Sequence, residues 1–424
     1  MNMQTKPPHT AAEQAILDNY AAVLGQLPGD AKVTSARDEL ISAISDSGLP
    51  TRRVESWHYT DLRNLLRDVS GNTGSGTASA VDPLVNGSLM LPMVQGHSAD
   101  LSALEGMTLA PFMELLASGE AAGMMAERGS DDLIGQLNGA FVSDGYTIAV
   151  AADASIDKLV ELQSVQSGGQ AHNRFVASFG TGSKATLVER HLGDDEHSGF
   201  SSSVSTLDVA DGADVTWVIV QQRGASDQHL GQLSARLGTG AKLRLFVINA
   251  GGKLTRQEVH VDVAGEDAHF DLRTVNLLAG DSHTDVTLTL GHNVANTTSS
   301  EIVRNVVLDR ARGVFQGQIC VAQEAQKTDA QMACNTLLLS DDGEFSAKPE
   351  LEIFADDVIC AHGATVIDLD EDHLFYLMAR GITEKAARGL LVNGFVDELV
   401  EELDNEELVE VLETVIEQWL AEHA

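Results

Sequence analysis

Two periods of apolar residues divide this chain. Near the start, Ile16, Tyr20, Val23, Leu24 and Leu27 recur at the three-to-four spacing of an amphipathic helix. Ser35 with Asp38 reads as a capping box ahead of Leu40, Ile41 and Ile44. After Leu49-Pro50-Thr51 comes the run 52–66, with Trp57, Tyr59 and Leu62, and residues 1–68 together are expected to be helical. The stretch 69–82 (VSGNTGSGTASAVD) is small, polar and rich in Gly and Ser, so it predicts a flexible linker or loop. Residues 83–140 are mixed, with short helices expected over 111–116 and 131–141.

From about Tyr146 to Val366 the period drops to two. Thr, Val and Leu alternate with polar residues in short runs such as 146–150, 174–179, 184–189, 204–209, 215–220, 242–247, 258–263, 269–272 and 285–290, as in half-buried strands. Turns centred on Gly212, Gly240, Gly265 and Gly280 separate some of them at uneven intervals. One long all-β body follows, and a sandwich, a barrel and a solenoid all fit this pattern. Beyond Val366 the helical period returns. Asp370 can cap a helix carrying Leu374, Phe375, Leu377 and Met378, and Thr383 can cap the next. In the last segment, 395–424, Leu399, Leu403, Leu408, Leu412, Val415, Ile416, Trp419 and Leu420 form an apolar stripe among 11 acids and no Lys or Arg. Such a stripe commonly packs on the protein's own core, and it can also dock another protein. The expected organisation is a helical domain with its linker over 1–82, a mixed lead-in over 83–145, a β core over 146–366 and a helical domain over 367–424.

Composition narrows the function. The 424 residues hold 63 acidic and 27 basic side chains, a formal net charge of −36, which disfavours nucleic acid and anionic lipid as partners. The chain shows no uninterrupted apolar run of membrane-spanning length and no secretory pattern at its start, so a cytoplasmic location is expected. The three cysteines, Cys320, Cys334 and Cys360, form no CxxC pair, and they fit a reducing compartment better than a disulfide framework. No phosphate-binding glycine loop, HExxH or nucleophile-elbow context is present.

The most suggestive chemistry is Cys360-Ala361-His362-Gly363. On a strand, residues two apart face the same way, so thiol and imidazole could share a metal ion or a sulfur atom. Two ligands do not complete an iron or zinc site, and the others would have to come from elsewhere in the chain or from a partner. A small buried Cys beside a hydrogen-bonded core His is the commoner reading of that spacing. The bland readings also hold elsewhere: His283 and His292 as edge or turn histidines, Cys320 as core, Trp57 and Tyr59 as packing, Asp356-Asp357 as solvent-facing or turn residues.

Five ordered blocks carry more information than any of these motifs. LPTRRVESWHYTDL at 49–62, SEIVRNVVLDRARGVFQGQICV at 300–321, QKTDAQMACNTLLLS at 326–340, KPELEIFADDVICAHGATV at 348–366 and LDEDHLFYLMARGITEKAARGLLVNGF at 369–395 resemble the SufB/SufD family of the SUF iron–sulfur cluster assembly system, with DSHTDVTLTLGH at 281–292 as a weaker match. The low cysteine count and the ESWHYTDL phrase resemble its D branch. That resemblance implies a mainly β fold, a right-handed parallel β-helix between N-terminal and C-terminal α-helical domains. It implies a scaffold that is not itself an enzyme, paired with a SufB-like paralogue or a second copy of itself. A SufC-like ABC ATPase would dock on the C-terminal helices and carry the ATPase activity. The family's interface ligands fall on Cys360 and His362, candidates for transient iron or a nascent cluster, and reduced flavin can accompany such complexes. Outside the resemblance, two readings compete: a β-helix enzyme acting on acidic polysaccharide, and a self-contained Cys/His nucleophile enzyme.

Overall fold

The computed structural model describes residues 8–423 apart from 75, 100, 102–103, 126–127 and 129–131. Its body is built from two stacks of strands, one of ten and one of nine. The chain alternates between them. Lys242–Asn249 lies in the first stack, Leu254–Val263 in the second, His269–Leu278 in the first and His283–His292 in the second. From Asp144–Val150 onward each strand therefore pairs in parallel with the strand two along in sequence. Leu233, Val259, Leu288, Gly317 and Pro349 form one such column. Of the three architectures that alternation left open, the molecule is a parallel β-solenoid. Each turn closes its backbone hydrogen bonds on the next turn and buries its inward residues against it.

The corners are tight turns at positive φ, 68° at Gly212 and 62° at Gly240, a region that a Cβ disfavours. They also stack: Gly212 N–H donates to Thr239 C=O and Gly240 N–H to Glu266 C=O, each at 2.8 Å. The strands extend beyond the alternating runs visible in the sequence. The run 174–179, for example, is the end of Gly169–Phe179.

Helices Ala11–Val23 and Ala31–Ser47 share a core with Phe200, Val204, Leu230 and Leu254 on the second stack. Thr10 and Glu13 form the capping box of the former, and Asp30 caps the latter through Lys32 and Val33 N–H. The expected box at Ser35 and Asp38 is thus corrected, since both lie inside a helix that begins a turn earlier, and Asp38 instead accepts from Tyr20 Oη at 2.8 Å. The described residues of the stretch 69–82 form no helix or strand, yet they are strapped to the solenoid rather than free. Gln170 Nε2 donates to Ser70 C=O, and Val81 N–H donates to Gln163 Oε1, both at 2.7 Å. The lead-in adds strands that the sequence pattern missed, among them Leu89–Val94, which pairs in parallel with Ser155–Val165 and starts the first stack. Helices form at Met113–Ser118 and Leu133–Phe141, and Asp131, the expected start of the latter, lies outside the described residues.

At the other end, the strands Glu344–Ile353 and Ile359–Ile367 are the last of their stacks. Three helices follow, Glu371–Ala379, Glu384–Val400 and Glu406–His423. The apolar stripe from Leu399 to Leu420 is buried, packed with Val218, Val220, Phe246 and Ile248 of the first stack. It is the protein's own core, and only its acidic face meets water. Among the described residues, no helix is long and apolar enough to cross a membrane.

A candidate ligand pair on the open last rung

Cys360 and His362 lie on the final strand, Ile359–Ile367, which pairs on one side only, with Asp329–Leu338. The register sets Cys360 beside Ala330 and His362 beside Met332. Ala330 and Met332 belong to the solenoid core, 0% and 3% exposed. Register partners in a parallel pair face the same side of the sheet, so Cys360 and His362 face the solenoid axis. Among the described residues, no further turn covers them. Cys360 is half-buried and packs on the edge of the core, and His362 is exposed. The commoner reading of the Cys-x-His spacing, a core pair, is therefore not what the structure contains.

Burial pushes the Cys360 thiol above its usual range, and the Asp329 carboxylate adds to the effect. It is a thiol at neutral pH and needs an arriving cation to become a thiolate ligand. Among the described residues, no group of three or more His, Cys, Asp or Glu could hold a metal by itself. The pair is at most half of a coordination shell.

Two rungs below lies a residue that the sequence reading missed. Glu301 is in register with Met332 on one side and Leu272 on the other, 0% exposed, and neither carboxylate oxygen has a hydrogen-bond partner. Burial pushes it up to about 8, so it is held protonated at neutral pH. Its signal in the sequence was an acid at an inward position between Ser299 and Val303.

The other singled-out residues separate cleanly. Cys334 is buried in the core, its thiol pushed up to about 12 by burial. Cys320 departs from the core expectation: it faces outward in register with Glu352 and is half-buried. His283 and His292 are not edge groups either, at 7% and 0% exposed. They begin and end one strand, beside its turns, and His283 meets Thr60 of the N-terminal segment. His292 bonds Thr297 and Ser299, and burial lowers it to about 4. Asp357 pairs with Lys327 in the turn before the final strand.

The phrase ESWHYTDL turns out to be an anchor. Trp57 is 2% exposed, with the Arg256 guanidinium 3.8 Å from its ring centroid. Arg256 also donates to Ser56 C=O at 2.7 Å and pairs with Asp285, which in turn accepts from Thr60 Oγ1. These contacts fix the N-terminal segment to the solenoid.

Residues 162–395 match the family model described as SUF system FeS cluster assembly, SufBD core domain. The chain belongs to the SufB/SufD family. It is SufD-like: it is 28% identical over 372 residues to the iron–sulfur cluster assembly protein SufD of Escherichia coli (strain K12), covering 85% of this chain and 87% of that protein. It is 29% identical over 290 residues to Protein ABCI7, chloroplastic, of Arabidopsis thaliana, covering 66% of this chain and 61% of that protein. A SufBD family protein of Synechocystis sp., slr0076, is 31% identical over 204 residues, 48% of this chain and 45% of that protein. Membership of this family places the chain in iron–sulfur cluster assembly and displaces the polysaccharide and nucleophile-enzyme readings. The chloroplastic relative shows that the compartment varies within the family.

Proposed function

We propose that the chain is a scaffold subunit whose open end pairs with a SufB-like paralogue, with Cys360 and His362 supplying part of the ligand shell for iron or a nascent cluster formed there. The observation that carries this reading is the unfinished rung. Two inward-facing ligand-type side chains sit where the solenoid stops, on a strand with one unpaired edge. Around them Ile353, Phe354, Ile359, Val366 and Ile367 are exposed, at 40% to 66%. An apolar, unpaired edge is a liability unless another strand covers it. A partner rung would satisfy the backbone groups and bring the missing ligands. A second copy of this chain could cover the same edge at rest.

Iron and cluster are cargo in this scheme. The His362 imidazole offers a nitrogen lone pair when neutral, and Cys360 joins as the cation drives its proton off. ATP hydrolysis belongs to a SufC-like partner. Its docking surface is assigned to the C-terminal helices, where Phe375 and Tyr376 are 72% and 54% exposed and Leu390 is 53% exposed. Reduced flavin remains an accessory of the assembled complex, with no residue of this chain assigned to it. The proposed location is the cytoplasm.

The test is His362→Ala, alone and with Cys360→Ala, in cells lacking the native copy. The variant is expected to fold and to co-purify with its partners while cluster content falls to background. Wild-type cluster content with both residues replaced would refute the ligand role.

A further inference from the structure

Several close contacts between an imidazole and a hydroxyl are sealed inside this chain. Ser201–His229, Ser202–His172 and Thr297–His292 are all buried, beyond the reach of a reagent in solution. His269 and Thr298 differ. They begin the neighbouring strands His269–Leu278 and Thr298–Val307 and are in register with each other. The next residue along, Phe270, is in the solenoid core, so His269 and Thr298 lie on the outer face of the first stack. Thr298 is exposed, and the His269 side chain is 33% exposed.

The hydrogen bonds around the ring fix where its proton lies. His269 Nε2 is 2.7 Å from Asp271 Oδ2, and a carboxylate offers only lone pairs. Nε2 therefore carries the N–H. In the neutral ring Nδ1 is then a bare acceptor, and Thr298 Oγ1, 2.7 Å away, donates to it. Asp271 is itself held in place. Arg273 reaches its Oδ1 at 3.5 Å, and the same guanidinium is tied to Leu272 C=O at 3.1 Å, Ser300 C=O at 2.7 Å and Glu402 at 2.6 Å. A hydroxyl that donates to an imidazole nitrogen, with a carboxylate orienting the ring, is the arrangement that makes an alcohol nucleophilic.

We propose that Thr298 is an acyl-acceptor site, modified by small activated acyl donors such as esters with good leaving groups. Thr298 Oγ1 bonds to the carbonyl carbon while the bond from that carbon to the leaving group breaks. The Oγ1 proton passes to His269 Nδ1 and from there to the departing group. Nothing is oxidised or reduced, and the product is an ester on Thr298. His269 is the general base, and Asp271 is a positioning residue that sets the tautomer. The pair stands on an exposed sheet face, so it suits a small donor and is chemistry done to the chain. It leaves the scaffold reading intact and does not depend on the role assigned to Cys360 and His362.

The test treats the full chain at pH 8 with p-nitrophenyl acetate and locates acetyl groups by mass spectrometry. Alkaline hydroxylamine separates hydroxyl esters, which it cleaves, from lysine amides, which it leaves. A hydroxylamine-labile acetyl is expected on Thr298 and none on Thr365, an exposed hydroxyl bonded to Asn335 instead of a histidine. His269→Ala should slow acetylation of Thr298 by at least about a hundredfold. Thr298→Ser keeps a hydroxyl at the same place and should still be acetylated. Asp271→Asn, whose amide can donate to Nε2 and move the ring proton to Nδ1, should also lose the reaction, and Asp271→Glu should recover part of it. No acetyl on Thr298, equal acetylation of Thr298 and Thr365, or an unchanged rate in His269→Ala would each overturn the site. A full rate in Asp271→Asn would overturn the positioning role.

Discussion

Met332 and His362 hold the same register position on adjacent parallel strands, yet Met332 is 3% exposed and His362 stands open to solvent. Among the described residues, a further strand lies beyond Met332 and none beyond His362. Met332→Ala should therefore cost about 2–5 kcal/mol of stability through a core cavity, and His362→Ala should change it by no more than about 0.5 kcal/mol. Chemical denaturation of the two variants checks this. A comparable loss in both would mean that His362 is packed in solution.

The free edge can be blocked without touching the fold. Ile359 N–H donates to Thr328 C=O, so the backbone groups of the alternate residues, Cys360, His362, Ala364 and Val366, point to the unpaired side. Ala364→Pro removes one donor from that side and leaves the ladder to Asp329–Leu338 intact. Pairing with a paralogue or a second copy should be lost in sedimentation experiments, with little change in melting temperature. Persistence of the assembled species would mean that the edge is not the interface.

Glu301 makes a pH prediction with a definite sign. Burial raises its folded pKa to about 8 from the usual 4.5. The folded state then favours the proton, so this contribution to stability is fully present below the unfolded pKa and is lost as pH rises through about 8. Each unit of the difference corresponds to roughly 1.4 kcal/mol. Glu301→Gln cannot ionise, and its stability relative to the parent should rise between pH 6 and pH 8 on the scale of that linkage and level off above it. Denaturant midpoints at the two pH values measure it. A constant difference would show that Glu301 is already ionised in the fold.

The Arg256–Asp285 pair has 0% side-chain exposure on both partners, while the Arg310–Asp281 pair is 65% and 69% exposed. Arg256→Ala leaves a buried carboxylate unpaired and Trp57 uncovered, and should cost about 3–5 kcal/mol. Arg310→Ala should cost less than about 1 kcal/mol. Proteolysis near residues 50–68 should accelerate only in the first variant. Equal protection of both would separate the anchor from the ion pair.

Part of the candidate site was visible along the chain, because Cys360 and His362 are two apart in a strand-forming run. Glu301 was not: an acid between Ser299 and Val303 resembles any outward strand residue until register puts Leu272 and Met332 on either side of it. The same holds for Thr60 and Asp285, which are 225 positions apart and hydrogen-bonded. Cys320 misled in the opposite direction, since its alternation is compatible with either face of the sheet.

Local periodicity by itself determined that helices flank a body of short strands, where the corners fall, and that a thiol and an imidazole share one face of a late strand. These follow from spacing within a few residues, where backbone geometry leaves few options. Only the tertiary structure decided that the strands stack turn on turn, that the acidic tail's apolar stripe lies against the chain's own sheet, and that the last rung ends uncovered. Those outcomes depend on which distant residues come into register, and a pairing between turns leaves no periodic trace within either strand.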